Sequence, residues 1–215
     1  PGVNRYYPAY APDGKMLASG SADMTVRLWS MGSTDVRVLG GHEASVHALA
    51  FSPDGQRLAY LSFVHDSKGD VCVRNLPSGS ERCVTDDETA ELEVIWLDEG
   101  ATLGVLSRRD LHSGFILHAI SATGGAPRRL LERDMIGLAR SRDGAHLAVE
   151  ARRPEIGVSF ASRVGRGLHV MRMPGDGAVG REAVFVPDLP GVSGFPAFSH
   201  DGRFIYFSQY LNDTN

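Results

Sequence analysis

The sequence lacks a long hydrophobic run and an excess of charge of either sign. No apolar stretch approaches the roughly 20 residues that a membrane-spanning helix needs. Lys and Arg number 22 and Asp and Glu number 26, which gives a formal net charge of −4. Because nonspecific nucleic-acid binding depends on a strong positive field, this composition argues against a nucleic-acid partner.

No segment has a sustained apolar period of 3.6 residues, and this absence argues against a helical fold. The hydrophobic fraction of 42% and the charged fraction of 22% are those of an ordinary folded domain, so they exclude a disordered or fibrous chain. Glycine is abundant, with 25 residues in 215. A chain rich in glycine and poor in helical periodicity is typical of short strands joined by tight turns.

One pattern recurs along the chain: an apolar stretch, a turn that ends in glycine, and a second apolar stretch. The turn glycines are Gly14, Gly55, Gly100, Gly144 and Gly202, at intervals of 41, 45, 44 and 58 residues. Four of them follow an aspartate, and Asp-Gly supplies the positive φ that a tight hairpin turn requires. The last interval is longer because of an insertion in the fourth unit.

Each unit continues with a third and a fourth short apolar segment, as in TVRLWS followed by DVRVLG. Four short antiparallel strands at a period near 44 residues predict the blades of a β-propeller. The sequence therefore predicts an all-β propeller with four complete blades and the first half of a fifth. The predicted boundaries are 4–39, 46–85, 92–131, 136–187 and 194–215.

The blade sequences also carry a family resemblance. LASGSADMTVRLWS, followed by Gly41-His42, resembles a WD repeat, whereas AFSPDGQRLAYLS and AFSHDGRFIYFS are similar to blades of TolB-like propellers. WD repeats often share a buried His–Ser/Thr–Asp–Trp network within one blade. Arg74 stands at the position that matches Trp29, so no single blade is expected to assemble this network. Trp29 itself is expected in the core.

A partial propeller leaves strand edges and sheet faces uncovered, and propellers typically have about 4–8 blades. We therefore expect the chain to be a portion of a larger propeller. The remaining blades would come from the same polypeptide or from a second chain. The alternative is a complete four-bladed ring with a frayed tail.

Propeller geometry sorts the connections onto two faces. The face with the connections between second and third strands, here called the long-loop face, has loops at 63–70, 108–114 and 151–167. Long loops on a rigid scaffold usually carry binding residues. The predicted partner-binding residues are His65, Asp66, Arg108, Arg109, His112, Arg152, Arg153, Arg163 and Arg166.

Arginine clusters suit carboxylate or phosphate recognition through paired hydrogen bonds. The linking segment between the second and third blades is acidic, with Asp86, Asp87, Glu88, Glu91 and Glu93. The alternative interpretation is therefore that these charges are solvated or pair with one another across neighbouring loops.

No cofactor motif is present, and the eight histidines do not have the spacing of a zinc site. Asp213 and Asn215 resemble the opening of a calcium loop but lack its later ligands. Cys72 and Cys83 lie on the third and fourth strands of one blade, either directly opposite or one residue out of register. Direct opposition would permit a disulfide and indicate an oxidising compartment such as a bacterial periplasm, which is slightly favoured over the cytoplasm. A slip of one residue would leave two reduced cysteines, the default expectation.

The leading functional hypothesis is a non-enzymatic interaction, scaffold or sensor module that binds a protein or peptide through the long-loop face. One alternative is the propeller of a larger hydrolase, similar to the prolyl oligopeptidase family, with its catalytic domain elsewhere in the polypeptide. A third hypothesis places a site in the central channel. It is disfavoured because the first strands of the units are expected to supply few acidic or aromatic residues in register.

Overall fold

The structure is a computed structural model that describes residues 8–65, 68–86, 89–108, 114–152, 166–173, 183–186 and 196–207. These residues form 17 β-strands and no helix. It follows that no helix in this part of the chain could cross a membrane. The expected all-β class is confirmed.

The strands are grouped into consecutive antiparallel blades. Blade 1 consists of β1 (Ala9–Tyr10), β2 (Met16–Gly20), β3 (Val26–Ser30) and β4 (Val36–Leu39). Blade 2 consists of β5 (Ser45–Phe51), β6 (Arg57–His65), β7 (Lys68–Asn75) and β8 (Glu81–Cys83). Blade 3 has β9 (Ala90–Trp96), β10 (Thr102–Arg108), β11 (Phe115–Ser121) and the first part of β12 (Arg128–Arg140). Blade 4 has the second part of β12, β13 (His146–Arg152), β14 (Arg166–Arg172) and β15 (Ala183–Val186). The pair β16 (Ala197–Phe198) and β17 (Ile205–Tyr206) begins a fifth blade.

Blades 3 and 4 are continuous because one strand serves both. β12 is 13 residues long, pairs Leu131 with Leu117 of β11, and then pairs Leu138 with Val149 of β13. Its register shifts around Met135, where the chain passes from the outer edge of one blade to the inner edge of the next. The sequence predicted two strands separated at residues 131–136.

The buried hydrophobic residues of the described segments form three layers, which lie between blades 1 and 2, blades 2 and 3, and blades 3 and 4. Leu28 of blade 1 packs with Leu58 of blade 2, and Leu61 of blade 2 packs with Leu103 of blade 3. A third cluster joins blades 3 and 4 around Leu117. Because neighbouring residues of a strand point to opposite faces, Leu58 and Leu61 of β6 serve different layers. The inner strands β1, β5, β9, β12 and β16 follow one another around a common axis.

The turns between first and second strands have the geometry that the sequence predicts. Gly14, Gly55, Gly144 and Gly202 have φ values of 71°, 68°, 73° and 69°. In three of these turns a serine and an aspartate close the loop, as where the Ser141 hydroxyl donates to Asp143 at 2.6 Å and accepts from the His146 amide at 2.9 Å. These rigid turns surround the axis on one side of the molecule, here called the turn face.

Two expectations about local structure are wrong. Trp29 is 40% exposed, because it lies on the face of blade 1 that is turned away from blade 2. Its indole Nε1 donates to the Ser19 hydroxyl at 3.0 Å, and this hydrogen bond corresponds to the Ser–Trp pair of the WD-type network. In blade 2, the segment 63–70 is mostly strand rather than loop, since β6 extends to His65, which pairs with Lys68.

Candidate functional site

An open cavity of about 550 Å³ lies on the axis at the turn face, and we refer to it as the axial cavity. It is the meeting point of the five inner strands and their turns. Its lining is Ala9, Tyr10, Ala11, Pro12, Ala50, Phe51, Pro53, Ile95, Trp96, Glu99, Arg140, Ser141, Arg142, Phe198, Ser199 and His200.

One lining residue comes from the same position of every blade, four residues before the turn glycine. These residues are Tyr10, Phe51, Trp96, Arg140 and Phe198. Four of the five are aromatic, and the fourth blade substitutes an arginine. The expectation that the first strands supply few aromatic residues in register is therefore wrong. The signal was present in the sequence, and aligning the blades on their turn glycines would have revealed it.

Arg140 is held inside the wall of the axial cavity. Its side chain is only 14% exposed, and its guanidinium lies in the space beside Gly144. Arg140 Nη2 lies 3.9 Å from Oε1 of Glu99, which is longer than a hydrogen bond. Burial lowers the pKa of Arg140, while the nearby carboxylates of Glu99, Asp98 and Asp143 oppose this effect.

Two further nitrogen-bearing side chains stand beside it on the rim. The Arg142 guanidinium is in direct contact with the imidazole ring of His200, which links the turns of the fourth and fifth blades. The aspartates of these turns are already engaged: Asp143 accepts from Ser141 and the Ala145 amide, and Asp201 accepts from Ser199 and the Arg203 amide. These hydrogen bonds hold the pKa of both aspartates below the usual range.

The adjacent wall contains another arginine. The Arg57 guanidinium lies over the Trp96 ring at 4.8 Å from its centroid and fills the space beside Gly100. The Trp96 indole Nε1 donates to the Ala50 carbonyl at 3.0 Å, so Arg57 covers one face of this ring and a hydrogen bond holds its polar edge. The cavity wall is therefore rigid at the second and third blades.

The opposite face is the one on which the sequence places the partner-binding residues. Arg108 ends β10, and its guanidinium lies over the Phe115 ring at 5.4 Å. Arg152 and Arg166 are register partners at the ends of β13 and β14. His65 is the last residue of β6. Asp66, Arg109, His112, Arg153 and Arg163 lie outside the described residues, as do Asp213 and Asn215 of the suggested calcium loop.

Part of the acidic linking segment is not surface charge. Glu91 and Glu93 belong to the inner strand β9, and Glu91 is buried. Glu93 accepts a hydrogen bond from the Leu138 amide at 2.8 Å, which ties blade 3 to blade 4.

Blade 2 contains a polar network of its own in the place of the WD-type network. His42 Nδ1 lies 3.1 Å from the Tyr60 hydroxyl and 3.3 Å from Oε2 of Glu81. Arg74 Nη1 donates to the same Glu81 oxygen at 3.1 Å and to the Gly40 carbonyl at 3.0 Å. Glu81 and Arg74 therefore connect the two outer strands of blade 2 to the segment that enters this blade.

The same pair of strands is joined covalently. Cys72 and Cys83 are register partners across β7 and β8, and the structure contains the disulfide between them. No group of three or more His, Cys, Asp or Glu side chains converges as metal ligands would among the residues that the structure describes.

The arrangement of stacked four-stranded blades around an axis defines the chain as a β-propeller. The WD40 family model (WD domain, G-beta repeat) matches residues 9–30 and 33–62. The TolB structure from Agrobacterium tumefaciens superposes with a TM-score of 0.73 at 18% identity, covering 94% of this chain and 73% of that one. The chain is thus a β-propeller, and the segments that match the WD40 model lie in its first two blades.

Relatives by sequence cover parts of the chain. Coronin-7 from Homo sapiens is 31% identical over 137 residues, 61% of this chain and 14% of that protein. The guanine nucleotide-binding protein subunit beta from Oryza sativa subsp. indica is 50% identical over 44 residues, 20% of this chain and 12% of that protein. The chain thus matches about a seventh or less of the length of these two relatives.

Another structural neighbour is an oligogalacturonate lyase in complex with manganese. It superposes with a TM-score of 0.71 at 12% identity, covering 99% of this chain and 60% of that one. At this level of identity the likeness shows the propeller fold and not a shared activity.

Proposed function

We propose that this propeller is a non-enzymatic interaction module that binds a protein or peptide. The observation that carries the proposal is the match of its first two blades to the WD40 family model, together with the similarity of the chain to coronin-7 and to a G-protein β subunit. Supporting it, successive blades are joined by continuous hydrophobic layers, so the chain forms a rigid scaffold with two exposed faces.

The partner surface in this proposal is the long-loop face, with His65, Asp66, Arg108, Arg109, His112, Arg152, Arg153, Arg163 and Arg166 as its contact residues. Arg108 stacked on Phe115 supplies a cation on an aromatic platform at this face. The T-shaped pair of His47 and Phe63, with ring centroids 5.0 Å apart, adds a second aromatic contact near the start of β5. Arginine and aromatic residues are enriched at the centres of protein interfaces.

The Cys72–Cys83 bridge supports an oxidising compartment, such as the bacterial periplasm, as the place where the module acts. In this proposal the disulfide is a structural part of blade 2 and takes no part in partner binding.

The test is affinity capture followed by mass spectrometry with three forms of the chain. We expect the unmodified protein to retain a partner that the double variant Arg152→Glu with Arg153→Glu loses by about tenfold or more, because charge reversal replaces attraction with repulsion. Arg37→Glu is the matched control, since Arg37 is exposed on the outer strand of blade 1. Equal capture by the double variant and the control would contradict the assignment of the partner surface.

A further inference from the structure

We propose that the Asp13–Gly14 turn of blade 1 is a modification site, at which the backbone converts spontaneously to an isoaspartyl linkage. The other Asp-Gly turns of the described blades are protected from the same reaction by a serine that blade 1 lacks. The reaction requires no ligand other than water, and this inference does not depend on the proposed function.

The chemistry takes place between an aspartate and the glycine that follows it. The glycine nitrogen attacks Cγ of the aspartate and forms an N–Cγ bond, while one carboxyl oxygen leaves as water and a five-membered succinimide closes. Water then opens this ring. Cleavage of the N–Cγ bond restores aspartate, whereas cleavage between the nitrogen and the backbone carbonyl carbon leaves the chain running through the side chain. Glycine favours the attack because it has no side chain to keep the backbone at a distance.

Four Asp-Gly pairs lie in turns between first and second strands, and they share one geometry: Asp13–Gly14, Asp54–Gly55, Asp143–Gly144 and Asp201–Gly202. In each turn the glycine amide donates to the carbonyl two residues before the aspartate, at 2.8 to 2.9 Å. The carboxylate accepts from the amide two residues after it, at 2.9 to 3.1 Å. Because the attacking nitrogen is engaged in the folded state, the turn must open locally before the reaction proceeds.

A serine two residues before the aspartate secures three of these four turns. The Ser141 hydroxyl donates to Oδ1 of Asp143 at 2.6 Å and accepts from the His146 amide at 2.9 Å. Ser52 and Ser199 make the same two hydrogen bonds in their own turns. The serine hydroxyl is the largest cause of the lowered pKa of Asp143, so it favours the ionised carboxylate, which an amide nitrogen attacks poorly.

Blade 1 has Ala11 where the other three turns have serine. A methyl group can neither donate to Asp13 nor accept from the amide of Met16, which is the counterpart of His146. Among the described residues, the hydrogen bond that the Asp13 carboxylate accepts comes from the Lys15 amide at 2.9 Å. The Asp13 side chain is therefore held by one hydrogen bond, whereas the aspartates of the serine-containing turns are held by at least two.

The turn of blade 1 also follows a short strand. β1 has two residues and is joined to β2 by two register pairs. β5 and β12, which precede the corresponding turns of blades 2 and 4, have 7 and 13 residues. β16 is as short as β1, but Ser199 secures its turn. Because local opening is easiest where few contacts hold a segment, we expect Asp13 to isomerise fastest and Asp201 next, ahead of the aspartates of blades 2 and 4.

Isomerisation would change one side of the axial cavity. An isoaspartyl linkage adds one carbon to the backbone of the turn, and it lengthens the loop that is closed by the hydrogen bonds from Gly14 to Ala11 and from Ala11 to Met16. Tyr10 and Pro12, which flank Ala11, line the cavity. The modification would therefore loosen the turn face at blade 1 and leave the serine-containing turns as they are.

The test measures isoaspartate at each site separately. The folded chain is incubated near neutral pH and digested with trypsin, and isoaspartyl peptides are separated by reversed-phase chromatography and identified by electron-transfer fragmentation. Asp13 lies in the tryptic peptide 6–15, and the pair Asp176–Gly177, which is outside the described residues, is measured in the peptide 173–181. We expect isoaspartate to form at Asp13 about fivefold faster than in the serine-containing turns, the factor that one ordinary hydrogen bond gives. In urea the four rates should agree within about twofold, because the unfolded chain has no turn to protect.

Two matched variants exchange the serine between blades. Ala11→Ser supplies the missing hydroxyl and should slow the reaction at Asp13 to the rate of Asp201. Ser199→Ala removes the hydroxyl in blade 5 and should raise the rate at Asp201 to that of Asp13. Asp13→Glu is the control for the chemistry, because a glutamate would have to close a six-membered ring and should give no modified form of the peptide 6–15.

Three results would overturn the proposal. The first is an equal rate at Asp13 and in the serine-containing turns of the folded chain. The second is a ratio in urea as large as in the folded chain, which would assign the difference to the local sequence and not to the fold. The third is an unchanged rate at Asp201 in Ser199→Ala, and this measurement decides the role of the serine even if Ala11→Ser fails to fold.

Discussion

At the scale of single residues, Glu93 shows how packing can override the solution behaviour of an ionisable group. Glu93 is half-buried on the inner strand of blade 3, and its carboxyl accepts a hydrogen bond from the Leu138 amide of the inner strand of blade 4. Removal from water raises the pKa of Glu93 to about 8, although the amide hydrogen bond lowers it in part. Burial therefore outweighs the hydrogen bond, and the folded protein keeps this carboxyl protonated near neutral pH.

The raised pKa makes stability depend on pH in a predictable direction. Between about pH 5 and pH 8 the folded state holds a proton on Glu93 that the unfolded state has released, so the free energy of unfolding should fall as the pH rises. The slope from one such group is at most about 1.4 kcal/mol per pH unit. Glu93→Gln should remove this part of the slope, since an amide does not titrate and its oxygen can still accept from Leu138.

Urea denaturation at several pH values measures this effect. Glu43→Gln is the control, because Glu43 is exposed in the segment that leads into blade 2. A slope that is the same in Glu93→Gln and Glu43→Gln would show that Glu93 ionises normally in the folded protein.

At the scale of elements, β8 illustrates how a strand of three residues is held at the edge of a sheet. Two attachments fix it to β7: the Cys72–Cys83 disulfide and the hydrogen bond from Arg74 to Glu81. Burial raises the pKa of Glu81, whereas hydrogen bonds from His42 and Tyr60 and the charge of Arg74 lower it. The lowering effects are larger together, so the net shift of the pKa is downward. The ionised carboxylate is therefore the form that the network stabilises.

We predict that breaking the disulfide destabilises blade 2 without abolishing its fold. The bridge closes a short loop, with a sequence separation of 11, and such loops contribute roughly 2–3 kcal/mol. Cys83→Ser, made at the exposed end of the bridge, should lower the thermal midpoint, and dithiothreitol should lower that of the unmodified chain by a similar amount. Dithiothreitol should have no effect on Cys83→Ser. The prediction would be contradicted if dithiothreitol left the thermal midpoint of the unmodified protein unchanged.

The elements also show what the sequence could and could not predict. The recurring turn glycines predicted the number and order of the blades, because few residues other than glycine tolerate the positive φ of Gly55 or Gly144. The continuity of β12 was missed, since the apolar patterns of residues 128–131 and 136–140 do not reveal that the backbone between them stays extended. The cysteine register was left open because a slip of one residue cannot be excluded from a turn of uncertain type.

The axial cavity was missed for a different reason. Aromatic residues that are buried in a core look the same in sequence as those that line a cavity, so the first strand of a single blade does not indicate one. Only the axis brings Tyr10, Trp96 and Phe198 to one place. In contrast, Arg140 carried a readable signal, because it is the one cation at a position where the other four blades have an aromatic residue.

At the scale of the whole molecule, blade 1 has one covered face and one open face. Val26 and Leu28 of β3 pack against blade 2, whereas Trp29 and its register partner Val36 lie on the other side, together with Val38. Val38 is 55% exposed, on a strand that is also the outer edge of its sheet. Exposed apolar side chains beside a sheet edge that pairs with no described strand form a surface that favours association between protein chains.

We therefore predict that the isolated chain self-associates through the open face of blade 1, because burying Trp29, Val36 and Val38 against another molecule removes apolar surface from water. Val38→Lys should shift the protein toward monomer in size-exclusion chromatography with light scattering, since a charged residue on an edge strand opposes pairing. Met24→Lys is the matched control, as Met24 is a similarly exposed apolar residue in the turn between β2 and β3. Two results would show that this face does not mediate self-association. One is an unmodified chain that stays monomeric at every concentration, and the other is a Met24→Lys variant that dissociates as fully as Val38→Lys.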